Sequence, residues 1–136
     1  MSINRFIDAQ SKYHSIALNE LKNEKKQTHW MWFIFPQIEG LGSSSMAKYY
    51  AIIDINEAKE YWGNEYLKNN YIELCNVLLS LKENNPQKIF SYIDAIKLQS
   101  SLTLFYQVEK LEIINKLLNK FYNGELDNKT LNILNK

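Results

Sequence analysis

Apolar side chains recur at spacings of three and four along most of the chain, and capping residues stand in the breaks between runs. Ile3, Phe6, Ile7 and Gln10 share one helical face. Ser11 stands where an N-cap opens a second helix through Tyr13, Ala17, Leu18 and Leu21, and the polar, basic residues 22–27 form its exit. Thr28 is placed as the N-cap of a segment too bulky and too continuously apolar to alternate as a half-buried strand. This pattern predicts a buried helix that Pro36 kinks or ends near Phe35, with a buried strand as the alternative that periodicity leaves open. Gly40 and Gly42 supply the turn that follows.

Beyond that turn, residues 43–45 cap a short helix through Met46, Ala47, Tyr49 and Tyr50. Asp54 with Glu57 reads as a capping box for a helix over 55–62, ended by Gly63. Asn64 caps the next helix, in which Leu67, Tyr71, Leu74, Cys75, Leu78 and Leu81 keep a helical period. Pro86, after two asparagines, suits a first helical position. Asp94 is read as the cap of a helix over 95–109. Residues 111–122 are amphipathic before Gly124, and Asp127 opens a last short helix. No internal repeat, linker or low-complexity tract interrupts the series. The prediction is an all-α chain, residues 1–136 forming one compact bundle of five to eight helices of mixed length.

Composition narrows the partners. Hydrophobic residues make up 46% and charged residues 23%, the balance of a folded globule. A formal net charge of +1 gives no overall field to recruit nucleic acid or an anionic membrane. Residues 22–26 hold three lysines and a glutamate, too slight a cluster for a nucleic-acid footprint. The single cysteine, Cys75, fits a reducing compartment, and no stretch has the length of a signal-peptide core or a spanning helix, so a cytoplasmic location is expected.

The chemistry-bearing residues gather in two places. His29 sits beside Trp30 and Trp32, with Gln37 after the proline. The imidazole suits a catalytic acid or base or an orienting group, and the indoles offer flat faces to a base or a cation. The competing reading makes His29 a hydrogen-bonded structural histidine and both tryptophans plain core. Lys97, Ser100 and Ser101, spaced three and four apart, project from one side of a helix and can contact a phosphate or carboxylate. A solvated helix face explains them equally well. No metal or cofactor is expected. His14 and His29 lack companions at metal-ligand spacing, and Gly40-Leu41-Gly42 lacks the spacing and the Lys-Ser/Thr pair of a phosphate-loop fingerprint.

The same two places carry a resemblance. His-Trp-Met-Trp-Phe-Ile-Phe-Pro-Gln at 29–37, Gly-Leu-Gly at 40–42 and Met46-Ala47 resemble the signature of a bacterial family of small uncharacterised proteins, some mislabelled calpastatin in genomes. Arg5-Phe6 with Asp8-Ala9-Gln10, Lys97-Leu98 with residues 100–105, and Phe121-Tyr122 before Gly124 agree with the family's other blocks. The resemblance implies a helical single domain and no established activity. Two functions follow as expectations. One is a pocket for a small anionic or nucleotide-like ligand, walled by residues 30–37, with Lys97, Ser100 and Ser101 on the anion and His29 as the reacting or orienting group. The other is a non-enzymatic protein-interaction domain in which those aromatics are core and Tyr49, Tyr50, Tyr61 and Trp62 contribute a surface patch.

Overall fold

The computed structural model describes residues 2–136, and the statements below refer to these residues. Helix α1 (Asn4–Lys22) runs unbroken through Ser11, whose hydroxyl donates to the Asp8 carbonyl instead of capping a new helix. The apolar stripe continues across that serine, with Phe6, Ala17 and Leu21 buried on one side, and that burial outweighs the weak local preference of serine for a cap.

The expected helix over 28–37 shrinks to α2 (Met31–Ile34), a single turn. Thr28 does not cap it, because its hydroxyl is bonded to Glu20, 2.6 Å away. Pro36 ends the turn as expected, and the chain then extends so that Ile38 forms a parallel bridge with Ile52. Ile52 N–H donates to the Gln37 carbonyl and Glu39 N–H to the Ile52 carbonyl, both at 2.8 Å, so the two ends of the intervening loop are tied. Gly40, at φ +105°, makes the turn in a conformation that side chains other than glycine resist.

Helices α3 (Ser45–Tyr49), α4 (Ile55–Gly63), α5 (Glu65–Ser80) and α6 (Pro86–Phe90) follow. Their caps are Ser44, Asp54, Asn64 and Asn85, each accepting from a backbone N–H inside its helix. Glu57 takes the Ile53 N–H where a capping box would take that of Asp54, since its carboxylate is drawn onto Arg5. Helix α7 (Tyr92–Val108) begins earlier than expected. Ser91, at φ +79°, reverses the chain directly after α6, and Asp94 lies in the first turn instead of capping it. Helices α8 (Glu112–Tyr122) and α9 (Asn128–Leu134) complete nine among the described residues, one more than the upper end of the expected range.

The core lies around α7, against which α4, α6, α8 and α9 pack, while α5 bridges α1, α4 and α8. Residues 100–105 are buried on every side, as expected of a helix surrounded by others. Its buried hydroxyls all have partners: Ser100 with Asp127, Ser101 with Tyr71, and Thr103 with the Gln99 carbonyl. The Lys120 ammonium donates to the Leu78 and Leu79 carbonyls at 2.9 and 3.1 Å and to that of Leu81, satisfying groups left open at the end of α5. No helix is long and apolar enough to cross a membrane.

Candidate functional site

The 29–37 segment is held by side chains of α1 as well as by its own helical bonds. Gln10 donates to the Phe33 carbonyl at 2.8 Å and to the Tyr61 hydroxyl at 2.9 Å, and accepts from Asn70 at 3.1 Å. Arg5 spends all five of its donors: on Glu57 twice and on the carbonyls of Ser2, Tyr49 and Ala51. It thereby anchors the chain on the far side of the loop from Gln37, and loss of either member of that buried pair costs about 3–5 kcal/mol.

Trp30 is fully buried, and its indole donates to Glu20 at 2.9 Å. Burial by itself would raise the Glu20 pKa. The Thr28 hydroxyl, the Gln27 and Thr28 N–H groups and the Trp30 indole outweigh it and hold the carboxyl at about 2. Lys26 sits 5.0 Å over the Trp30 ring and 3.0 Å from Asp94.

Trp32 is turned the other way and is half-buried, with the Lys97 ammonium 5.6 Å from its ring centroid. Lys97 is steered there by Asp94, 3.9 Å away and one turn earlier in α7. Beside Lys97 opens a cleft of about 170 Å³ walled by Gln37, Leu41, Ile93, Ile96 and Ser100, with Asp127 and Lys129 opposite. The Asp127 carboxylate is already met by the Ser100 hydroxyl at 2.8 Å, the Thr130 hydroxyl at 2.6 Å and the Thr130 N–H at 3.2 Å. These neutral donors stabilise the carboxylate without cancelling its charge, and Lys97 and Lys129 are the cations that share the cleft with it.

Of the residues expected at a site, the structure brings Gln37, Lys97 and Ser100 together on the cleft, with Trp32 beside Lys97 in an adjoining narrow slot. Three lie elsewhere. Ser101 is fully buried away from the cleft, 2.9 Å from the Tyr71 hydroxyl, because adjacent helical residues point about 100° apart. Trp30 is core for the reasons above. His29 is exposed, its ring 6.5 Å from that of Trp32, and lines a separate groove with Tyr13, Phe33, Met46 and Tyr50. Tyr61 and Trp62, expected in a surface patch, are core residues, and Trp62 stacks on Phe105 at 5.0 Å. Burial pushes the Cys75 thiol pKa far up, which leaves it inert.

Asp94 and Lys129 had no part in the sequence reading of a site. Asp94 stands three residues before Lys97, a spacing that pairs charges on a helix, and that signal was available once its helix was taken to begin before it. Lys129 comes to the cleft through the packing of α9 on α7, which has no local signature.

No curated protein matches the chain. The fold is similar to the crystal structure of a conserved hypothetical protein, Rv1873, from Mycobacterium tuberculosis. The two share 34% sequence identity at a TM-score of 0.95, over 98% of this chain and 96% of that one. A family model described as a protein of unknown function, DUF1810, matches residues 1–134, and the chain belongs to that family.

Proposed function

We propose that the protein binds a small anionic or nucleotide-like ligand in the cleft between α7 and the 37–42 loop. The observation that carries this reading is Lys97, placed over Trp32 and beside Asp94 at the wall of a concave, largely apolar opening. Lys97 supplies a point charge for the anion, Gln37 an amide that donates and accepts, and Trp32, in the adjoining slot, a flat face next to Lys97. The Ser100 hydroxyl, its proton engaged by Asp127, offers an oxygen as acceptor. The test is a thermal-shift series with inorganic phosphate, small carboxylates and mononucleotides, on the wild type and Lys97→Ala. A ligand of the folded state raises the melting temperature by mass action. The expected result is a rise in the wild type that disappears in Lys97→Ala. No rise with any compound overturns the reading.

A second reading, a protein-interaction domain, is favoured by Tyr92, Ile93 and Ile96, which are 64%, 63% and 45% exposed at the start of α7. It gains if every compound leaves the melting temperature unchanged and Ile93→Glu abolishes self-association seen in light scattering.

A further inference from the structure

The Lys97 cleft is one of three depressions in a row along the same loop. Gln37 and Gly42 wall both the cleft and a narrow slot next to it, and the slot reaches across Trp32 to Tyr50. Tyr50 in turn walls the groove that holds His29, an opening of about 280 Å³ between α1, α2 and α3. Trp32 stands between the two larger openings. Its ring centroid is 5.6 Å from the ammonium of Lys97, which walls the cleft, and 6.5 Å from the ring of His29, which walls the groove.

The two openings differ in chemistry. The cleft has lysines and few rings. The groove is aromatic: Tyr13 and Tyr50 lie on either side of Phe33, with ring centroids 5.3 and 5.1 Å from it, and Met46 closes one end. Asp8, Lys12 and His29 at its rim offer one acceptor and two donors to the edge of a planar ring. The slot joining the openings is too small to be filled. At its edge the loop packs directly on α3, since a Cβ on Gly42 would fall 2.6 Å from the Ala47 Cβ. A ligand long enough to use both openings crosses over the slot, above Trp32.

Building on the proposed reading of the cleft, we propose that cleft and groove are two subsites of one site for a nucleotide-like ligand. Its heteroaromatic ring lies against Tyr13 and Tyr50, and its phosphate or carboxylate lies at Lys97. The ring subsite supplies stacking, the cleft supplies charge, and the joined ligand binds better than either half.

Calorimetric titration with inorganic phosphate, adenosine and adenosine monophosphate separates the two claims. The wild type is expected to bind the nucleotide about tenfold or more tightly than phosphate, the gain that one stacked base brings. Tyr13→Ala, at a partly exposed position, removes that gain and leaves phosphate binding unchanged, while Tyr13→Phe retains the gain. Lys97→Ala reduces the nucleotide to the affinity of adenosine. If Tyr13→Ala leaves nucleotide affinity intact while Lys97→Ala abolishes it, the cleft stands and the joined site falls. Nucleotide bound no more tightly than phosphate also overturns the joined site, and absence of binding by either overturns both.

Discussion

Two lysine–tryptophan pairs flank the carboxylate of Asp94, and they have opposite fates. Lys26 approaches it to 3.0 Å, donates to the Thr28 carbonyl at 2.5 Å and covers Trp30, with 6% of its side chain exposed. Lys97 reaches Asp94 only at 3.9 Å, covers Trp32 and keeps 23% exposed. The residue types and the carboxylate are shared. The difference is that Trp30 is enclosed and has a dedicated acceptor in Glu20, whereas Trp32 lies at the edge of an opening. A charge and ring whose contacts are all made inside the protein add to stability, and a pair with an open side remains available to a ligand.

Truncating the two rings breaks this comparison most sharply. Trp30→Ala empties a filled core position and is expected to lower unfolding free energy by about 3–5 kcal/mol, and Trp32→Ala by about 1 kcal/mol, in urea titrations. Equal losses would mean that Trp32 is as structural as Trp30. The acceptor of Trp30 comes next. The Glu20 pKa is lowered in the folded state to about 2 from its ordinary 4.5, so the stability it confers is whole above pH 4.5 and is lost as pH falls toward 2. Glu20→Gln is expected to lower stability by about 2 kcal/mol at neutral pH and to flatten the acid limb of the stability profile across that window. An unchanged acid limb would show that other carboxylates govern it. The smallest contrast lies between the lysines. Lys26→Ala, which leaves a mostly buried carboxylate with only the more distant Lys97, is expected to cost about 2 kcal/mol, and Lys97→Ala less than about 0.5 kcal/mol. If Lys97→Ala costs as much as Lys26→Ala, that lysine serves the fold.

Much of the helical series was legible because its signals are local. Asp54, Asn64, Asn85 with Pro86, and Asp127 each cap the helix that follows by bonding an N–H two or three residues on. The misreadings arose where a local signal was overruled by distant partners. Ser11 is a competent cap, yet burial of the α1 stripe carries the helix past it. The aromatic run at 30–35 has enough apolar bulk for a longer helix, but Gln10 takes the Phe33 carbonyl and the Ile38–Ile52 bridge extends the chain beyond Pro36. At the candidate site, Lys97 and Ser100 were legible as neighbours on one helix face. That Ser101 turns to Tyr71 was not, because spacing fixes relative angles without fixing which side faces the core.

By itself the sequence determined the all-helical class, the position of most helix ends and the two segments where polar groups sit among aromatic ones. Those properties depend on residues within a turn or two of each other. Tertiary structure decided which tryptophan is sealed and which is open, that His29 and Lys97 face different openings with Trp32 between them, and that Asp94 serves two lysines from different parts of the chain. These arrangements join α1, the 26–42 segment and α7, and their geometry is set by how those elements pack.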